Sequence, residues 1–105
     1  MQFLGPSGID LKSIDLSRAI IASASLDFPS TVADATSTRT ITVTGAAEGD
    51  FVFMGLPDSA MPAAGGVYSW WISAADTVTV QFWNNTANSI NPGSGTFTAM
   101  VVKAS

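Results

Sequence analysis

The sequence has no cysteine and no histidine. Without cysteine there is neither a disulfide framework nor a thiolate metal site. Without histidine the chain lacks the commonest general base, the commonest metal ligand and the usual near-neutral pH switch together. Glutamate is almost missing as well: Glu48 stands alone, flanked by small turn residues. A glycosidase needs two carboxylates held facing each other, and Glu48, Asp50, Asp58 and Asp76 read instead as solvated turn residues. No nucleophile elbow, phosphate loop or calcium loop of fixed spacing is present. These absences predict a protein that is not an enzyme and carries no cofactor and no metal.

Charge is the next scarcity. Charged residues make up 11% of the chain, against roughly a quarter in typical soluble domains. The four basic residues, Lys12, Arg18, Arg39 and Lys103, form no cluster, and the net charge is −4. That argues against nucleic acid as a partner, because phosphate neutralisation needs grouped Lys and Arg. The apolar runs are too short to span a bilayer as a helix, so no membrane partner is expected. Met1-Gln2-Phe3-Leu4 lacks the basic start and apolar run of a secretory signal.

A surface so poor in charge must be made of Ser, Thr, Asn, Gly and Ala, or be covered by other polypeptides. Interface cores are depleted in charge and enriched in Trp, Phe and Met, which favours the covered surface. At 105 residues there is room for one domain and an arm.

What is present is β-structure. Residues 67–83 hold all three tryptophans and the one tyrosine, and they read as two strands joined by Ala74-Ala75-Asp76. In the second strand Val78, Val80 and Phe82 share one face, and Thr77, Thr79, Gln81 and Trp83 the other, the alternation of a half-buried antiparallel strand. Trp83 falls on the face that should be wet. Trp70 and Trp71 are adjacent and therefore point to opposite faces, so at most one enters the core. Trp83 reads as an interface anchor or, alternatively, as a stacking surface for a sugar ring.

Further strands are expected over residues 20–26, 38–44, 51–56 and 96–103. The segment 51–56 is apolar on both faces, and Met54 is a candidate for subunit contact. In the last strand Phe97, Ala99 and Val101 take one face, while Thr98, Met100 and Val102 take the other, so Met100 and Val102 are further contact candidates. Arg39 falls on the inward phase of its strand and is expected at the sheet's end. About six short strands separated by turn formers, with no strong helix, predict an antiparallel β-sandwich, jelly-roll-like.

Residues 1–19 differ from the rest. Phe3-Leu4 is followed by Gly5-Pro6-Ser7-Gly8, a turn or hinge. Ile9-Asp10-Leu11 then recurs as Ile14-Asp15-Leu16, a spacing of five that is not helical; a helix over residues 10–21 is the competing assignment. The preferred reading is an extended N-terminal arm, residues 1–19, before a sandwich domain, residues 20–105. An arm cannot bury Phe3, Leu4, Ile9, Leu11, Ile14 and Leu16 alone. It lies on its own domain or on another subunit.

Four phrases carry a family resemblance: Ser23-Ala24-Ser25-Leu26-Asp27-Phe28-Pro29-Ser30; residues 40–50 from Thr40 through Gly45 to Asp50; residues 71–80 from Trp71 to Val80; and Asn91-Pro92 before the last strand. Together they resemble a small β-domain of tailed-bacteriophage structural proteins, found alone as head decoration (cement) proteins and at the ends of fibre-like proteins. The resemblance spans roughly residues 23–102 and includes no catalytic motif; residues 1–19 match nothing in it. It implies a homotrimer on the virion's capsid exterior, made in the host cytoplasm, with the major capsid protein as partner and no enzymatic role. One domain plus an arm resembles a cement protein more than a fibre, which would need a long shaft. The alternative is a receptor- or carbohydrate-binding tip of a fibre or baseplate.

Overall fold

The computed structural model describes residues 18–104. Among the described residues six strands fold in the order β1 (Ala19–Phe28), β2 (Thr36–Thr42), β3 (Phe51–Gly55), β4 (Val67–Ala74), β5 (Thr77–Trp83) and β6 (Gly93–Val102), with a 3-10 turn at Asp58–Ala60. They form two three-stranded antiparallel sheets, ordered β1-β6-β3 and β2-β5-β4, packed face to face as a β-sandwich. Among the described strands only β4 and β5 form a hairpin. Each of the other connections passes from one sheet to the other, so the core closes only when the whole chain is in place.

The alternation seen in the sequence is what splits the strands between core and surface. From β6, Phe97, Ala99 and Val101 are fully buried; from β5, Val78, Val80 and Phe82. Each triple sits on the central strand of its sheet, and the two meet in the middle of the sandwich. The flanking strands add Leu26, Phe28, Ile41 and Ile72. Phe28, Tyr68, Phe82 and Phe97 form an aromatic cluster with ring centroids 5.2 to 5.7 Å apart, the tilted and edge-on contacts that favour such rings. Gly66, at φ +103°, lies against the Phe82 ring, where a Cβ would collide with it; a glycine is required there for both reasons.

Several strand bounds, and the place of Arg39, differ from expectation; β6, for one, begins at Gly93, within the stretch read as a loop. β1 runs on to Phe28 and stops at Pro29, which has no N–H for a ladder. β2 ends at Thr42 instead of residue 44. Val43 is nonetheless fully buried, because its N–H is donated to the carbonyl of Asp76 in the β4–β5 turn, 2.8 Å away. Gly45 N–H also reaches this turn, at the Asp76 carboxylate. Arg39 is not at the sheet's end but midway along β2, opposite Val80. β2 is an edge strand, so the guanidinium escapes the core sideways. Its Nε donates to the Asp27 carbonyl at 2.9 Å, which ties the edge of one sheet to the edge of the other.

Candidate functional site

Among the described residues no three of the carboxylates converge on a possible metal position. Of the four turn carboxylates, Asp50 is withdrawn from solvent, which corrects the expectation, and Asp76 is exposed as expected but also bonds a neighbouring loop. The Asp76 carboxylate accepts from Gly45 N–H at 2.7 Å. The Asp50 side chain is only 6% exposed and pairs with Lys103 at 2.6 Å. It also accepts from the N–H groups of Ala47 and Ala104. These donors, Lys103 foremost, hold its carboxyl down at about 2. Both aspartates are occupied in fixing loops.

The surfaces of interest are the two outer sheet faces. On the β1-β6-β3 sheet the register places Ala19, Val102 and Phe51 in one cross-strand row and Ile21, Met100 and Phe53 in the next. Ile21, Phe51 and Phe53 are 66%, 62% and 55% exposed; Met100 and Val102 lie half-buried between them on the central strand. The side chains of one row stand within contact range of the next, so the six residues form one continuous apolar patch. Its borders are polar. The Lys103–Asp50 pair follows Val102 and precedes Phe51 at one end, and the Ser23–Thr98 hydroxyl pair, 2.9 Å, closes the other. An apolar centre with a polar rim is the anatomy of a protein-binding surface.

The outer face of the β2-β5-β4 sheet has a different character. Its rows run Thr36, Trp83, Val67; Thr38, Gln81, Ser69; and Thr40, Thr79, Trp71. None of these residues is charged. Trp83 and Trp71 are 41% and 42% exposed and lie on neighbouring strands, separated by two rows, about 14 Å along the strand direction. Trp83 Nε1 donates to the Asp34 carboxylate at 3.4 Å, which turns the indole toward the loop before β2. Thr79, at the centre, donates its hydroxyl to Ser73 Oγ at 2.7 Å. This face offers two flat rings over a lawn of hydroxyl and amide groups.

Of the contact candidates named from the sequence, Met100 and Val102 lie on the apolar patch and Trp83 on the opposite outer face. Met54 does not lie on either. It points between the sheets and packs against the core, because the outward phase of β3 belongs to Phe51 and Phe53. Those two, with Ile21, were missed as surface residues; the sequence left open which of Trp70 and Trp71 faces outward, and it is Trp71. For Phe51 and Phe53 the segment itself holds no signal, because only the register against β6 decides which phase of residues 51–55 joins Met100 and Val102. Trp70 is the tryptophan that turns inward, with its Nε1 donating to the Val52 carbonyl at 3.3 Å. Phe3, Leu4, Ile9, Leu11, Ile14 and Leu16 lie outside the described residues. No protein-family model matches the chain, and no curated protein or solved structure matches it either.

Proposed function

We propose that this chain is a head decoration protein of a tailed bacteriophage, a homotrimer seated on the capsid exterior that clamps neighbouring major capsid protein subunits. The observation that carries this reading is the uncharged apolar patch of Ile21, Phe51, Phe53, Met100 and Val102, contiguous across three strands and bordered by polar groups. The resemblance of residues 23–102 to phage head and fibre domains supplies the identity of the partner. The mechanism is mass action: a protein that binds only the assembled shell stabilises it by its binding free energy, multiplied over many copies. The test is to add purified protein to intact heads of the phage that encodes it. Saturable cosedimentation, with a higher temperature for heat-induced DNA release, is the expected result. Heads that neither bind the protein nor gain heat resistance would sink the reading.

A second reading, the carbohydrate-binding tip of a fibre or baseplate, is favoured by the placement of Trp71 and Trp83 on one hydroxyl-rich face. Saturable quenching of tryptophan fluorescence by oligosaccharides, lost in Trp83→Ala, would select it over the first.

A further inference from the structure

We propose that the outer face of the β2-β5-β4 sheet binds one neutral oligosaccharide laid diagonally across it, with separate sugar rings stacked on Trp83 and Trp71. The inference rests on the carbohydrate reading above and adds to it the length and the charge of the ligand.

Trp83 is on the central strand β5 and Trp71 on the edge strand β4. Val67 pairs with Trp83, and Trp71 with Thr79. The two indoles therefore stand about 14 Å apart along the strands and one strand spacing, about 5 Å, apart across them. That separation exceeds the width of a single pyranose, so one sugar covers one ring only. Gln81 and Ser69 face each other in the row between the rings. The amide and the hydroxyl can both donate and accept, which suits the hydroxyl groups of the sugars that span the gap. An indole face carries the negative side of its quadrupole and attracts the C–H groups on the flat side of a pyranose.

The surroundings of the rings select a sugar over a polypeptide. Ser and Thr are under-represented at the energetic centres of protein interfaces, yet Thr36 is paired with Trp83, and Ser69 lies on β4 between the two rings. An apolar segment laid here, such as one carrying Ile9, Leu11, Ile14 and Leu16, would strip water from these groups and its side chains would return no hydrogen bonds.

Charge narrows the class of sugar. Among the described residues no lysine or arginine stands in the rows of this face. Arg39 is turned to the edge of the sheet, where it donates to the Asp27 and Thr38 carbonyls. The ionic group beside Trp83 is the Asp34 carboxylate, which accepts from the indole N–H at 3.4 Å. It can accept from a sugar hydroxyl at that end, and it repels an anion. A uronate, a sialate or a sulfated sugar finds no cation here, and a neutral sugar needs none.

The test begins with the full-length protein on a printed array of neutral, sialylated and sulfated glycans. Shorter and longer homologues of the bound glycan are then titrated by calorimetry. Neutral glycans alone are expected to bind. Affinity is expected to rise at least about tenfold between the disaccharide and a chain that reaches both rings, since the second contact is then intramolecular. Trp71→Ala and Trp83→Ala should each return the long chain to the affinity of the short one. In nitrogen-edited NMR spectra of the unmutated protein, the indole N–H signals of Trp71 and Trp83 should move together. That of Trp70, whose N–H is bonded to the Val52 carbonyl, should stay. If Trp83→Ala misfolds, these spectra decide. A shift of the Trp83 signal alone, with no gain from chain length, would overturn the two-ring site and leave the carbohydrate reading standing. A preference for sialylated or sulfated glycans would overturn it as well, and an array on which no glycan binds would remove both.

Discussion

The side-chain amide of Asn84 donates to the backbone carbonyl of Thr31 at 2.8 Å, across 53 residues of sequence. Asn84 is fully buried, and each of its polar atoms is used. Nδ2 also donates to the Asn88 carbonyl, and Oδ1 accepts from the N–H and hydroxyl of Thr86. Beside it, Thr31 and Ile90 exchange both backbone hydrogen bonds. One amide thus joins the loop after β1 to the loop after β5.

Replacing Asn84 by alanine removes the bonds of its side chain to Thr31, Asn88 and Thr86 and leaves the Thr86 N–H without its acceptor, each bond contributing about 0.5 to 1.5 kcal/mol. Asn84→Ala is expected to lose about 3 kcal/mol in urea unfolding at neutral pH. A loss below about 0.5 kcal/mol, the ordinary range of a surface change, would mean that this amide does not organise the loops.

Tyr68 is the one tyrosine. Its hydroxyl donates to the Ala60 carbonyl at 2.6 Å, and burial raises its pKa from 10.0 to about 12. Because the folded value lies above the unfolded one, the stability tied to neutral Tyr68 is fully present below pH 10 and is lost as pH rises toward 12. Absorbance titration should place tyrosinate formation well above the free value. Tyr68→Phe should flatten the alkaline fall in stability, at the expense of one hydrogen bond, about 1 kcal/mol.

Asp50 shifts in the opposite direction, from 3.8 to about 2, through its hydrogen bond to Lys103 and those to Ala104 and Ala47. A lowered folded value gives stability that is present above the unfolded pKa and disappears as pH falls through the folded one. The denaturation midpoint should therefore decline between pH 3.8 and about 2, and that decline should shrink in Asp50→Asn. An unchanged acid limb in the variant would show that Asp50 and Lys103 are not coupled in solution.

The adjacent tryptophans should separate cleanly. Trp70 packs on the core with its indole N–H bonded, so Trp70→Ala is expected to cost about 3 kcal/mol, the range for removing a large aromatic from a packed site. Trp71 stands on the outer face, and Trp71→Ala should stay within about 0.5 kcal/mol. Equal losses in the two variants would contradict the facing of β4.

Much of the sandwich was legible because it depends on a period of two. Residues 77–83 alternate so regularly that the strand has the bounds read for it, Thr77–Trp83, and Phe97, Ala99 and Val101 are buried as a set. The opposite orientations of Trp70 and Trp71 follow from adjacency alone. Met54 shows where this reasoning stops. A strand apolar on both faces has no internal signal for which face is inward, and that was settled by its register against β6. Asn84 was unreadable for another reason: in the sequence it is one turn former among several, and only the approach of Thr31 makes it a buried, fully bonded amide.

The sequence alone determined that this is an all-β chain without histidine or cysteine, since alternation and residue type are local and need no partner. Tertiary structure alone decided which apolar side chains share a surface. Rows such as Ile21, Met100 and Phe53 are assembled from three strands far apart in the chain. Only hydrogen-bonded register, which no single segment contains, can bring them side by side.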